Sequence, residues 1–260
     1  MKSIGLIGCG KMGQAILKGL GDGTVIVSRR NQAELKRICE ESNAKAGTNA
    51  EAAACDIVFL CVKPQQYAHV LPEIAPYVRK DALFIYLAPG FTVETMRSKL
   101  NLAQDANIVH LMPNTPCAVG AGVLAYAAPA SFTGDEEAAF GKLLSPLGAL
   151  FRVEEKDMNA VVGVSGSSPA YFYMMIDALA MAGVRAGLSR QAAQNMAAQT
   201  MKGCAEMLLR SGKHPGMLRD EVMSPGGTTA EAVYVLEKEG FAGTLMEAVD
   251  RCVKKSAGMG

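Results

Sequence analysis

Short, nearly uninterrupted apolar runs alternate with segments of helical spacing along residues 1–155. The pattern predicts strands over Lys2–Ile7, Thr24–Ser28, Ile57–Val62, Leu83–Leu87 and Asn107–Leu111. Between them it predicts helices over Met12–Gly21, Ala33–Glu41, Gln65–Tyr77 and Thr92–Leu100. Apolar strands without alternation are buried on both faces, as in a parallel sheet. Strands alternating with helices make βαβ units and a doubly wound α/β fold. Val123–Ala127 and Phe151–Val153 read as two closing strands around a helix over Asp135–Leu147.

Beyond Lys156 the pattern changes, and no strand is predicted to the end of the chain. Ser189 is an N-cap and Gly212 a stop for a helix whose stripe is Ala193, Ala197, Met201, Cys204 and Leu208. Further helices are expected over Thr228–Glu239, stopped by Gly240, and over Thr244–Lys255. The segment Ser168–Val184 is too apolar all round for a surface helix. It reads either as a helix buried against a second subunit, the favoured reading, or as a central helix of the monomer. The methionines read as packing filler. The expected organisation is therefore residues 1–155 as a doubly wound domain and residues 156–260 as an all-helical domain.

Composition narrows the classes. The chain has 260 residues, 50% hydrophobic and 20% charged, which excludes a disordered chain. With 26 basic and 25 acidic residues, the net charge of +1 gives no field directed at nucleic acid or an anionic membrane. No apolar run reaches the roughly 18 residues of a membrane span; the nearest approach, Ala170–Val184, is interrupted by Asp177. No secretory signal is read at the N-terminus. Seven cysteines (9, 39, 55, 61, 117, 204 and 252) are scattered without a CxxC pair, which fits reduced thiols in a cytoplasm. No metal-ligand cluster stands out, so the expected chemistry uses an organic cofactor or none.

The strongest local signal is Gly8-Cys9-Gly10-Lys11-Met12-Gly13, after the first predicted strand and opening a helix. Gly8 permits the tight turn, Gly10 lets a pyrophosphate approach the backbone, and Gly13 lets the helix pack on the sheet. The helix start presents unpaired amides and partial positive charge to the phosphates. This makes the first domain a Rossmann-type nucleotide-binding domain. At the end of the second strand an NAD site usually carries an acid for the ribose hydroxyls. Here the sequence reads Ser28-Arg29-Arg30-Asn31. Guanidinium groups pair with a ribose phosphate where a carboxylate would repel it. NADPH is therefore the expected cofactor, with NADH as the second; the alternative is that both arginines are solvated loop charges.

The carboxyl ends of the later strands should rim the same crevice. Val62-Lys63-Pro64, Ala88-Pro89-Gly90 and Met112-Pro113-Asn114-Thr115-Pro116 stand there. Pro64, Pro113 and Pro116 hold the backbone to a fixed course. Lys63 reads as a cofactor contact or solvated charge rather than a catalytic amine. A buried, inert thiol is the reading for Cys9, against oxidation sensitivity. A second glycine-rich string, Ser224-Pro225-Gly226-Gly227-Thr228-Thr229, precedes a predicted helix. Read alone, it fits a carboxylate-binding helix start and a capped helix entrance equally.

Taken together, GCGKMG, VKP at 62–64, MPNTP at 112–116, SGSSPAY at 165–171 and SPGGTT at 224–229 resemble the pyrroline-5-carboxylate reductases over essentially the whole chain. Two positions depart from the family's habit: Ser168 stands where glycine is usual, and Ala230 where Ile or His follows the threonine pair. The resemblance implies hydride transfer from NAD(P)H to the imine carbon of pyrroline-5-carboxylate, giving L-proline. It implies that Ser224 and the amides of Gly226, Gly227 and Thr228 hold the substrate carboxylate, and that Thr229 hydrogen-bonds the ring nitrogen. By the same resemblance, Gly8, Gly10, Lys11, Met12, Gly13, Ser28, Arg29, Arg30, Val62, Lys63, Pro64, Ala88, Pro113 and Asn114 are the cofactor-binding set. Helical domains interlocked as a homodimer, and dimers assembled into rings, commonly decamers, are implied as well. A protonated cyclic imine is electrophilic enough to need no metal or covalent nucleophile, so catalysis is chiefly positioning.

Two other readings compete. A β-hydroxyacid dehydrogenase would place a lysine in the glycine-rich helix, and Gly163–Met175 has none. An NADP-binding sensor without turnover would have no need of SPGGTT.

Overall fold

The computed structural model describes residues 2–20 and 24–258. Within them the chain divides into two compact units, residues 1–167 with 251–260 and residues 168–250.

The first unit is built on one sheet of β1 (Ile4–Ile7), β2 (Val25–Ser28), β3 (Lys45–Ala46), β4 (Ile57–Leu60), β5 (Leu83–Tyr86), β6 (Ile108–Pro113), β7 (Gly122–Ala127) and β8 (Gly148–Arg152). Their order is β3-β2-β1-β4-β5-β6-β7-β8. All neighbours are parallel except β6 and β7. The predicted parallel sheet is present, and its winding reverses between β1 and β4, the switch point of a doubly wound fold. β1 and β4 are buried at every residue, because helices cover both faces.

The connecting helices are α1 (Lys11–Gly19), α2 (Gln32–Ser42), α3 (Asn49–Ala53), α4 (Tyr67–Ile74), α5 (Val93–Leu100), α6 (Asp135–Leu144) and α7 (Met158–Val161). The predicted glycine stop of the first helix, Gly21, lies outside the described residues. One core joins α1, α2 and α6 to one sheet face through Ile16, Leu35, Phe140 and Leu144; a second joins α3, α4 and α5 to the other through Ala52, Leu71 and Met96. The helix predicted over Gln65–Tyr77 begins instead as a 3-10 turn, Pro64–Gln66, and becomes α4. β3 and α3 are additions to the predicted set. Thr48 caps α3 in a reciprocal box: its hydroxyl accepts the Glu51 N–H at 3.2 Å, and Glu51 Oε2 accepts the Thr48 N–H at 2.7 Å.

After α7 a π-helix, Val162–Gly166, leads to the second unit. That unit carries α8 (Ser168–Arg185), α9 (Arg190–Ser211), α10 (Pro215–Val222), α11 (Thr228–Lys238) and most of α12 (Phe241–Ala257). Ser189 caps α9 through the Ala192 N–H at 3.2 Å, and Gly212 ends it with φ +63°. α10 was not predicted; Pro215 opens it behind the His214 cap. Close approach of α8 and α9 requires Gly183, where a Cβ would lie 2.9 Å from Ala193 Cβ. Only Ser168, Pro169 and Ala180 of α8 are buried in the single chain, while Tyr173 and Met174 are 63% and 73% exposed. A helix this apolar with so little covered is built for burial against another chain. No helix among the described residues is long and apolar enough to cross a membrane.

His110 on β6 is buried, with its ring stacked on Tyr86 at 4.4 Å and no hydrogen-bond partner for either nitrogen. Burial pushes its pKa down from 6.5 to about 4, with the nearby Ala88 backbone opposing. Between those values the unfolded chain binds a proton that the native chain does not, so stability falls as pH drops through this window. The drop attributable to His110 is about 3 kcal/mol at one pKa unit per ~1.4 kcal/mol. His110→Phe should remove most of that slope when urea unfolding is followed from pH 6.5 to pH 4.

Candidate cofactor and substrate sites

At the switch point the three glycines do three different things. Gly8 adopts φ +85°, and a Cβ there would lie 2.3 Å from Val62 Cγ1 and 2.9 Å from Val62 N. Gly13 lets α1 close on the sheet, a Cβ there meeting the Gly8 carbonyl oxygen and Leu6 Cδ2 at 3.1 Å. Gly10 has nothing within 4 Å of its Cβ position, so space opens on its backbone. α1 starts at Lys11 with no side-chain cap and no acid in its first turn. The amides of Lys11, Met12 and Gly13 therefore begin a helix whose positive end lies beside the open Gly10 backbone, which fits a pyrophosphate.

The end of β2 supplies the basic groups. Arg29 reaches back to donate to the Cys9 carbonyl, and its Nη2 lies 3.7 Å from Glu34 Oε2. Arg30 is exposed. Ser28 is buried and donates its hydroxyl to Asn49 Oδ1 at 2.7 Å; Asn49 Nδ2 in turn donates to Glu73 at 3.0 Å. Asn49 opens α3, so the sequence reading missed it together with its helix; the Thr48–Glu51 capping pair beside it was the available signal. Cys9 is fully buried, and burial pushes its thiol up to about 12 despite the Arg29 charge. It stays protonated, as the inert reading holds.

The remaining rim residues share this edge of the sheet. Val62 backs Gly8 and is half-buried; Lys63 is exposed, its N–H capped by Gln66 Oε1 at 3.2 Å, and Pro64 opens the 3-10 turn. Ala88 and Pro113 are buried at the ends of β5 and β6. Asn114 is 7% exposed, and its side chain is engaged by the protein itself: Oδ1 accepts the Val123 N–H at 2.9 Å and Nδ2 donates to the Ser165 carbonyl at 3.0 Å. Glu155, another residue the sequence reading passed over, accepts the Val93 N–H at 2.5 Å and the Tyr86 hydroxyl at 3.4 Å. No local pattern marks it, since its partners lie 62 and 69 residues away.

Ser224–Thr229 belong to the second unit. Gly226 turns with φ +67°, the Gly227 N–H donates to the Ser224 carbonyl at 2.9 Å, and a Cβ on Gly227 would strike Ser224 Oγ at 2.3 Å. Gly227 is the N-cap of α11 and provides no side-chain cap. The first amides of α11 therefore carry no side-chain acceptor. Thr228 is exposed and Thr229 half-buried.

Comparison with known proteins gives the arrangement its context. Residues 155–259 match the family described as pyrroline-5-carboxylate reductase dimerisation, and residues 3–90 match NADP oxidoreductase coenzyme F420-dependent. The pyrroline-5-carboxylate reductase of Escherichia coli (strain K12) is 40% identical over 263 residues, covering 98% of this chain and 97% of that protein. That of Pisum sativum is 37% identical over 261 residues, covering 98% and 94%. The crystal structure of Plasmodium falciparum pyrroline carboxylate reductase with NADP bound superposes with a TM-score of 0.89 at 32% identity, covering 100% of this chain and 98% of that one. The sheet, its glycine loop and the helical dimerisation domain define a two-domain, NADP-binding oxidoreductase. The chain belongs to the pyrroline-5-carboxylate reductase family.

Gly10 and Gly8 should separate ligand space from fold. Gly10→Ala is expected to leave stability within about 0.5 kcal/mol while weakening NADPH binding at least tenfold by calorimetry, since its Cβ enters only open space. Gly8→Ala should instead destabilise the protein by about 2 kcal/mol or more in denaturant unfolding.

Proposed function

We propose that the protein reduces pyrroline-5-carboxylate to L-proline as a homodimer, with NADPH preferred over NADH. The observation that carries the reading is the pairing, in one chain, of an uncapped α1 behind the open Gly10 backbone with an uncapped α11 behind Gly226-Gly227. Each is a helix start without a side-chain acceptor, suited to an anion: pyrophosphate at the first, the substrate carboxylate at the second.

In this reading Gly8, Gly10, Lys11, Met12 and Gly13 hold the pyrophosphate, and Arg29 and Arg30 meet the ribose phosphate beside Ser28. Val62, Lys63, Pro64, Ala88, Pro113 and the Asn114 backbone line the remainder of the cofactor. NADPH, when bound, supplies the hydride. The amides of Gly226, Gly227 and Thr228 with Ser224 hold the carboxylate. The Thr229 hydroxyl hydrogen-bonds the ring nitrogen and supports its protonated, electrophilic form. Residues 1–155 act as the nucleotide-binding part and residues 156–260 as the dimerisation and substrate-binding part. The reading further places the enzyme in the cytoplasm, supported by seven cysteines free of disulfides, and assembles its dimers into a decamer, supported by the family resemblance. Family membership leaves the β-hydroxyacid dehydrogenase alternative without support. A sensor would bind NADPH and never turn over.

Loss of NADPH absorbance with purified protein and pyrroline-5-carboxylate, with proline as product, tests the reaction; tight NADPH binding without imine-dependent oxidation would refute it. Replacing Arg29 and Arg30 together by Ala should raise the KM for NADPH at least tenfold and that for NADH by less than about twofold, given that each lost charge-assisted bond is worth ~1.5–3 kcal/mol. Thr229→Val should lower kcat by about 10- to 100-fold with NADPH affinity unchanged, in the range seen for lost transition-state hydrogen bonds.

A further inference from the structure

The segment leading from the first unit into α8 follows an uncommon course. Val162–Gly166 wind as a π-helix, closed by the Ser167 N–H donating to the Val162 carbonyl at 2.8 Å. Such turns are rare and tend to fall at functional sites. Pro169 follows as the second residue of α8. An α-helix would pair the Ser165 carbonyl with the N–H of residue 169, and proline has none. The Asn114 amide supplies a donor to that carbonyl at 3.0 Å, across 51 residues of sequence.

The other half of Asn114 is fixed just as firmly. Its Oδ1 accepts the Val123 N–H at 2.9 Å, and its own N–H donates to the Val123 carbonyl at 3.2 Å. These bonds carry the β6–β7 ladder one pair beyond Pro113 and Leu124. The residue thus ties the crevice end of β6 to the turn from which α8 departs. Met112 and Ala127 pack against Met158, Val161 and Val162 in the same place. That apolar contact holds the turn to the sheet without fixing its register, because burial is non-directional; the hydrogen bond is directional and does. Two further ties of the segment run to the end of the chain: Cys252 Sγ to Ser167 Oγ at 3.2 Å, and Ser256 Oγ to Asn159 Oδ1 at 2.7 Å.

We propose that the Asn114 side chain is a positioning element for hydride transfer, setting the turn at 162–167 against the crevice end of β6 and making no contact of its own with the cofactor. The inference rests on the reductase reading above. Its energetic basis is that misplacing reacting groups by about 1 Å costs on the order of 100-fold in rate, even where binding is intact.

Asn114→Asp is the selective test. It keeps an acceptor for the Val123 N–H and sets a carboxylate oxygen, in place of an N–H, against the Ser165 carbonyl. With NADPH and pyrroline-5-carboxylate, kcat should fall about 10- to 100-fold, while the NADPH dissociation constant by calorimetry stays within about twofold. In the double variant Asn114→Asp, Pro169→Ala, residue 169 regains an N–H for the Ser165 carbonyl, and kcat should recover at least about threefold over the single variant. An unchanged kcat, an NADPH affinity that falls as far as kcat/KM, or no recovery in the double variant overturns the proposal. Absence of turnover in the unsubstituted protein would overturn the reductase reading instead, so the two failures are distinguishable.

Discussion

The pairing of β1 with both β2 and β4 is the constraint from which the nucleotide site follows. Because β1 lies where the winding of the sheet reverses, its C-terminal turn opens into the crevice rather than beneath a crossover. The same pairing brings Val62, just past β4, against Gly8, and leaves no room there for a side chain. Gly13 then lets α1 descend onto Leu6 and Cys61, which aims the positive end of the helix along the strand ends. Absence of an acid or a side-chain cap in the first turn keeps that end free for an anion. Arg29, one residue beyond β2, adds its charge from the neighbouring strand and lies across the loop through the Cys9 carbonyl. One register decision in the sheet thus fixes sterics, dipole and charge together.

A different balance governs the helical unit. Its single-chain packing covers small residues, Ala180, Ala193 and Ala197, and leaves Tyr173, Met174 and Leu209 largely open. At about 25 cal/mol per Å² of apolar surface, a unit that exposes so many large side chains forgoes much of the burial that stabilises an isolated domain. The match of residues 155–259 to a dimerisation family supplies the missing cover, a second copy of this chain. Stability and assembly are then linked, since association of two copies adds burial that the single chain lacks.

Long apolar runs and caps were legible because they are local. The parallel strands, the Ser189 and Gly212 boundaries of α9 and the all-helical character of the second half can each be read within a window of about 20 residues. β3 and α3 escaped because they have only two and five residues, too few to establish a period, although the Thr48–Glu51 box was visible. α10 was hidden by Pro215, which reads as a breaker but stands at the first helical position, where its missing N–H costs nothing. The glycines of both loops were legible for a related reason: a positive φ or a close approach leaves its mark on residue type at a single position.

By itself, then, the chain determined its strands and helices, its two glycine-rich helix starts, and the exchange of an acid for Arg29 and Arg30 after β2. These depend on backbone conformation and residue chemistry over a few neighbours. Only the tertiary structure decided that Ser28 is bound to Asn49, that Glu155 caps the start of α5, and that Asn114 turns its side chain to Val123 and Ser165. A polar side chain takes whichever partner the sheet order and helix packing bring within about 3 Å. Those partners stand 21 and 62 residues away for Ser28 and Glu155, and 9 and 51 for Asn114. Hydrophobic periodicity fixes which face of an element is buried, but carries no information about which distant donor will meet it there.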